Sequence, residues 1–215
     1  GLGIIPRGWE VAKLENCINF REGPGIRHWQ FKDKGIKFIN IRCIKDNDLD
    51  LGTANKISEE EAYNRYSHFM LKEWDIIIST SGTLGRHAIV RKEHLPLCLN
   101  TSVIKFRPKK SFQDFSYIYG YLTSLEFYTH LIEKASGSVQ VNFGPTHLKK
   151  INLKNPPRQI KHKYHEIVFP ILKKVVHNRR ENQKLSQLRD ILLPKLMNGE
   201  IRIPLDKKIA ESGTA

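Results

Sequence analysis

Ser81-Gly82-Thr83-Leu84-Gly85 has the glycines and hydroxyls of an anion-cradling turn. It lacks the Lys-Ser/Thr pair with which a nucleotide-binding loop reaches the outer phosphates and a cation, so it reads as a turn between strands. Metal-dependent nuclease chemistry needs carboxylates that converge on a cation. Asp75 and Glu93 stand at no spacing that would bring them together, and neither has a lysine partner on a strand. The nine histidines show no HxH or HExxH pattern and read as surface residues rather than metal ligands. Cys17, Cys43 and Cys98 are odd in number and free of CxxC spacing, which points to unpaired, buried thiols in a reducing compartment. In Asn155-Pro156-Pro157-Arg158, an asparagine amide beside a proline carbonyl could hold the exocyclic amine of a flipped base. The aromatic residue that would stack on that base is replaced by Arg158, so a proline hinge entering a helix is the preferred reading. The sequence therefore predicts a protein without its own catalytic or metal site, and attention moves to binding.

The elements that would carry such binding are mostly short strands. Residues 9–20, 36–44, 75–80, 87–92 and 97–106 are β-branched and aromatic runs bounded by Gly, Pro, Asn and Asp. Ser58 with Glu61 has capping-box spacing and opens a short helix. Ser111 with Asp114 caps a longer one, on which Phe115, Ile118, Tyr119, Leu122, Leu125 and Ile132 recur at helical intervals. Two more strands are predicted over 136–145 and 149–153. From Arg158 to Asn198 the chain turns Lys-rich and nearly glycine-free, with an apolar seam at spacings of three, four or seven, which predicts a long helix. Pro170 predicts a kink or a fresh start in that helix and Pro194 a second boundary. The fold class is α+β, a β-rich domain followed by a coiled-coil helix. The expected division is 5–154 for the domain, 155–204 for the helix and 205–215 for a flexible tail.

With 215 residues, 40% of them hydrophobic, the chain can bury a substantial core, and mean hydropathy of -0.45 excludes wholesale membrane burial. No run of about 18 apolar residues is present and no signal peptide is visible, so a cytoplasmic location is expected. The formal charge is +14, which makes a polyanion the natural partner. Its distribution is uneven: residues 1–146 carry 20 Lys and Arg against 16 Asp and Glu, and residues 147–202 carry 14 against 4. The globular part can offer only a local basic patch.

Ile5-Pro6-x-Gly8-Trp9-Glu10-x-x-x-Leu14, then Asp75-Ile76-Ile77-Ile78 leading to Ser81-Gly82-Thr83-x-Gly85, then Asn100 before Phe106-Arg107-Pro108, stand in an order that resembles the target recognition domains of type I restriction-modification specificity subunits. The stretch 188–203, LRDILLPKLMNGEIRI, resembles the end of the second conserved helix of that family. The resemblance runs from about Ile5 to Pro204. Family members usually leave the domain through Leu-Pro-Pro and a Glu-Gln pair, where this chain has Asn155-Pro156-Pro157 and then Lys161-His162. The family carries two recognition domains and two long helices; this sequence holds one of each, as a half-subunit or a fragment would.

What the resemblance implies is a non-catalytic reader of one half of a bipartite DNA target. Its partners would be double-stranded DNA, modification (methyltransferase) subunits, restriction subunits, and a copy of itself or a second recognition-domain half. S-adenosylmethionine and ATP would belong to those partner subunits, with no cofactor in this chain. A reader needs phosphate contacts for registration and a few side chains reaching base edges. Three polar loops supply candidates: Arg27, His28, Trp29 and Gln30 with Lys32 and Lys34; Ser79, Ser81, Thr83, Arg86 and His87; and Ser136, Ser138, Gln140 and Asn142. The helix would pair through Ile171, Val175, Leu185, Leu188 and Leu192, with Asn178 and Asn182 fixing register. Two other readings compete: a DNA adenine methyltransferase fragment, suggested by Asn155-Pro156-Pro157, and a helical scaffold without base readout.

Overall fold

The computed structural model describes residues 3–135 and 143–202. These form two units, one ending at Leu172 and one beginning at Lys173. The expected strand over 136–145 falls mostly outside the described residues, as does the expected tail.

In the first unit, β1 (Glu10–Lys13) lies antiparallel to β11 (Asn152–Asn155), with Glu10 opposite Asn155. The run 9–20 is not one strand. A helical turn, α1 (Leu14–Cys17), breaks it, because Leu14 N–H bonds to Ile151 O at 2.9 Å and the chain must turn a corner into a second sheet. That sheet is antiparallel, in the order β2 (Ile18–Glu22), β10 (Val103–Pro108), β7 (Ile76–Ser79), β8 (His87–Ile89). Ile76, Ile77 and Ile78 are all buried, as a strand covered on both faces requires. Ile77 packs with Ile39, Val90, Leu97 and Val103. On the other face Phe106, paired with Ile76, meets Phe127 with ring centroids 6.1 Å apart.

A three-stranded sheet places β3 (Ile36–Ile39) between β6 (Asn55–Ile57) and β9 (Leu97–Leu99), parallel to the latter. A tight hairpin, β4 (Ile44–Lys45) with β5 (Asp48–Leu49), turns at Asp46 and Asn47 in the left-handed region. The expected strands over 36–44 and 97–106 are thus each divided, the second at Asn100–Ser102, where the chain passes between sheets.

The Ser58 cap forms as predicted, with Glu61 N–H donating to Ser58 Oγ at 3.1 Å. Tyr66 N–H then reaches Glu61 O, which winds Glu61–Arg65 as a π turn. Ser111 Oγ accepts from Gln113 N–H at the start of the next helical stretch. That stretch is two helices, α2 (Phe115–Leu122) and α3 (Leu125–Ala135), because Ser124 Oγ accepts from Phe127 N–H and starts a new one. The break shifts the inward face to Phe127 and Leu131 and leaves Leu125 and Ile132 exposed, against the expected register. A further turn, α4 (Pro145–Leu148), precedes β11.

The last helix, α5 (Arg158–Met197), runs forty residues, about 60 Å. Neither Pro170 nor Pro194 interrupts it, contrary to the sequence expectation. Glu166, whose carbonyl loses its donor at Pro170, is an exposed residue, as is Pro170 itself. The turns around Pro170 are fastened from outside: the Phe169 ring packs against Trp74 at 4.9 Å and Phe112 at 5.3 Å, and Leu172 is buried. Packing of this kind, rather than propensity, supplies most helix stability. His165 Nδ1 lies 3.0 Å from Ser116 Oγ, Lys161 pairs with the buried Asp114 at 3.2 Å, and Tyr117 OH donates to Lys154 O. In the second unit Pro194 falls in the final turn, and Asn198 N–H still bonds to Pro194 O.

The β4–β5 hairpin is secured at its base by Arg91, 3% exposed, whose guanidinium contacts both oxygens of Asp48 at 2.6 and 2.7 Å and Glu93 at 2.8 Å. Arg91 N–H donates to His94 Nδ1, which must therefore stay unprotonated. Burial, and then the Arg91 charge, push the His94 imidazole down to about 4. The unfolded chain takes up this proton first, so the contribution is complete above about pH 7, falls between about pH 6.5 and 4, and levels off below. Urea denaturation at pH 7 and pH 4.5 should show a loss of about 2–3 kcal/mol from this group, and His94→Gln should flatten the slope in that window.

Candidate nucleic-acid interface

Because β2, β10, β7 and β8 alternate in direction, the ends of β2 and β7 and the starts of β10 and β8 share one edge of the sheet. Four connections meet there: 23–35, 40–43, 80–86 and 100–102. The last binds the other three. Asn100 Oδ1 accepts from Ser102 N–H at 3.0 Å and closes the turn. Asn100 N–H then donates to Ile39 O at 2.9 Å, Ser102 Oγ accepts from Ile41 N–H at 3.1 Å, and Thr80 N–H donates to Ser102 O at 3.0 Å. Gly23 lies flat on the same turn; a Cβ there would sit 2.5 Å from Leu99 C and Asn100 O. Phe143 N–H donates to Thr80 O, so the described chain re-enters at this edge.

The predicted readers separate on this edge. Gln30 is 3% exposed and structural: its Oε1 accepts from Arg27 N–H at 2.8 Å, and its Nε2 donates to Glu61 at 2.7 Å and to Tyr66 OH at 3.0 Å. Ser79 is fully buried, donating to Thr83 O at 2.6 Å and accepting from Arg86 N–H at 3.0 Å, so it clasps the 80–86 turn. As a base reader each is withdrawn, because its polar atoms are already spent inside the fold. Arg27, His28, Lys32 and Lys34 are exposed, and Trp29 is 70% exposed. Thr83 and Arg86 are exposed and Ser81 half-buried; Arg86 Nη1 approaches Ile44 O at 3.5 Å. His87 is half-buried, its Nε2 3.5 Å from Tyr119 OH, and so stands back from the rim. Ser136, Ser138, Gln140 and Asn142 lie outside the described residues. Gly85, at φ +77°, backs onto Tyr128, where a Cβ would meet the ring at 2.8 Å.

Sequence reasoning missed Asn40, Arg42 and Lys45. The 36–44 segment reads as continuous strand, and the signal that marks a turn in it is Asn40 two residues before Arg42, with Oδ1 accepting Arg42 N–H at 2.9 Å. Lys45 pairs with Asp50 at 2.6 Å and holds that carboxyl below its ordinary value. The exposed cations of this edge (Arg27, Lys32, Lys34, Arg42, Lys45 and Arg86) outnumber the neighbouring acids Glu22, Asp33, Asp46 and Asp50. The arrangement presents positive charge and hydrogen-bond donors on loops fixed to one backbone turn, which suits a phosphate-lined partner with readable edges.

The amide oxygen of Asn155 is already engaged within the fold. It accepts from Lys161 Nζ at 3.3 Å, on the rim of a cavity of about 510 Å³ that also takes in Lys110, Asp114 and Arg158. Among the described residues no group of His, Cys, Asp and Glu could hold a metal. On the helix, Ile171, at the end of the first unit, is exposed. In the second unit Val175, Asn178, Asn182, Leu185 and Leu188 are exposed and Leu192 half-buried. Ile191 and Leu193, which the seam pattern omitted, are exposed as well.

A sequence profile described as type I restriction modification DNA specificity domain matches residues 6–187. The chain is similar to the type I restriction enzyme MjaIX specificity subunit of Methanocaldococcus jannaschii, 26% identical over 212 residues, covering 93% of this chain and 46% of that protein. It is 27% identical over 200 residues to the type I restriction enzyme HindI specificity subunit of Haemophilus influenzae, covering 92% and 42%. The chain thus spans about half the length of the curated relatives it matches. The crystal structure of the HsdS subunit from Thermoanaerobacter tengcongensis superposes with a TM-score of 0.56 at 17% identity, over 93% of this chain and 47% of that one. The S subunit of a type I restriction-modification system from M. genitalium gives 0.59 at 18%, over 88% and 46%. These two likenesses concern the fold. No described helix is long and apolar enough to cross a membrane.

If the Asn100–Ser102 turn holds the edge together, Gly23→Ala should be costly although it adds one methyl group, since the clash is with backbone. Chemical denaturation should show a loss of about 1–3 kcal/mol, with faster proteolysis within 23–35.

Proposed function

The chain belongs to the type I restriction modification DNA specificity domain family, and from that premise we propose that it reads one half of a bipartite DNA target. The reading is non-catalytic. Modification subunits, carrying S-adenosylmethionine, and restriction subunits, using ATP, would supply the chemistry. The observation that carries it is the family match across 6–187, which takes in the whole loop edge and most of α5. In support, the exposed side chains of that edge are mostly cations, with hydroxyls, His28 and one large aromatic, on loops fixed to a single turn, while the groups with no freedom to reach outward, Gln30 and Ser79, serve the frame. The engaged amide of Asn155 argues against methyl transfer by the chain itself. The lean positive balance of residues 1–146 assigns the chain a modest affinity of its own.

Filter binding to duplex DNA should give dissociation constants in the nonspecific range of about 10⁻⁴–10⁻⁶ M near physiological salt, rising steeply as salt is added. Specificity should appear only when a modification subunit is added. Nanomolar, sequence-specific binding by the lone chain would contradict this division of labour.

The exposed apolar residues of α5 favour pairing with a second helix, from a copy of this chain or from the other half of a subunit about twice as long. A stripe containing Leu185 at 62% exposure is a poor surface to leave in water. The helical span from Ile171 to Leu193, about 34 Å, is close to one turn of B-DNA, so two such helices laid antiparallel would set the distance between half-sites. Light scattering of Leu185→Asp combined with Leu192→Asp should show loss of self-association or of capture by the second half. An unchanged mass and melting temperature would remove the seam as an interface.

A further inference from the structure

Arg42, like Arg27, is a cation of the recognition edge whose side chain is left free while its turn is fastened by hydrogen bonds. The Arg42 turn is also tied to a second loop through Ser102. Arg42 sits on the 3-10 turn Ile41–Cys43. Asn40 Oδ1 accepts its N–H at 2.9 Å, and Cys43 N–H donates to Asn40 O at 3.0 Å. Ser102 Oγ accepts Ile41 N–H at 3.1 Å, and Asp50 N–H donates to Cys43 O at 2.9 Å. The Cys43 side chain is fully buried beneath the turn, and Ile41 Cδ1 lies 3.6 Å from where a Cβ on Gly82 would be. Against this, the Arg42 side chain is exposed and makes no hydrogen bond or ion pair among the described residues. Lys45 is engaged by Asp50, Lys32 by Trp29 O, and Arg86 by Ile44 O.

The order of the loops adds a second argument. The 100–102 turn bonds to 40–43 and to Thr80 and lies against Gly23, and 80–86 also lies against Ile41 and Ile44. Arg42 therefore stands on a loop in contact with both 80–86 and 100–102, with Arg86 on the former and Arg27 on 23–35. A phosphate can be met by a flexible side chain at the margin of an interface. A two-point contact to a base edge requires a planar fork on a fixed origin, within the width of the major groove.

We propose that Arg42 is a specificity-determining residue that takes the O6/N7 edge of a guanine in the major groove, with Asn40 and Ser102 as its positioning residues. The proposal rests on the DNA-reading function proposed above. The test uses the full chain in complex with a modification subunit, a randomised duplex DNA library, and sequencing of the bound fraction for the unaltered protein, Arg42→Ala, Arg42→Gln and Asn40→Ala. The unaltered protein should select a short motif containing a guanine. Arg42→Ala should lose about ten- to a hundredfold of the preference for that guanine and keep every other position. Arg42→Gln should move the preference toward adenine, whose N6/N7 edge matches an amide. Asn40→Ala should blur the same position alone. Because Arg42 is exposed, its variants should melt as the unaltered protein does. If both Arg42 variants keep the motif, with affinity either unchanged or lowered equally for all sequences, the proposal is overturned, the second result making Arg42 a phosphate contact. If the unaltered protein selects no motif, the DNA-reading function itself fails, and the assignment of Arg42 with it.

Discussion

The recognition edge depends on how the backbone groups of Asn100–Ser102 are shared out. A turn between two sheets must satisfy its own donors and acceptors, since buried peptide groups left unpaired cost about 1–3 kcal/mol each. Here Asn100 Oδ1 takes Ser102 N–H and Asn100 O takes Val103 N–H within the turn, while Asn100 N–H, Ser102 O and Ser102 Oγ bind outward to Ile39, Thr80 and Ile41. Two loops from different parts of the sequence are thus tied to one short segment. Gly23 completes the arrangement by lying directly on that segment's carbonyls, where any side chain is excluded. The loops gain rigidity without regular pairing, and their outward side chains remain unused by the fold.

That division between frame and surface explains the polar composition of the edge. Gln30 and Ser79 are polar because their partners are backbone and buried side-chain groups; Arg27, Trp29 and Arg42 are exposed because nothing in the domain needs them. The modest net charge of residues 1–146 fits the same logic, since a strongly basic surface grips any duplex, while a weakly basic one lets geometry decide between sequences. The greater positive excess lies beyond residue 146, chiefly along α5.

Much of this was legible in the sequence. The β-rich domain, the Ser58 and Ser111 caps, the long helix and the family resemblance follow from local patterns that the structure retains. The errors share a physical cause, which is that polarity and periodicity do not report tertiary partners. Gln30 reads as solvent-facing until Glu61 and Tyr66, more than thirty residues away, are placed beside it. The run 97–106 reads as one strand because Asn100-Thr101-Ser102 contains neither Gly nor Pro, although Asn and Ser can close a turn with their side chains. Leu125 and Leu131 are six apart, and only the break at Ser124 decides that Leu131 faces inward. Pro170 breaks a helix by local rules, yet the aromatic packing of Phe169 carries α5 through it.

The fastening of Phe169 and Leu172 bears on how such proteins can be recombined. The first turns of α5 belong to the domain's own core: Trp74, Phe112 and Phe115 pack around Phe169, and Lys161 neutralises the buried Asp114. A crossover at the Asn155–Pro156 boundary, where the composition changes, would cut through that core. It would ask a foreign helix to cover three aromatic rings and a buried carboxylate. A crossover after Leu172 leaves those contacts with their own domain. The unit that keeps these contacts together is therefore the first domain with its own first four turns of helix, and shuffling that respects this seam should yield folded chimeras more often than shuffling at the composition boundary.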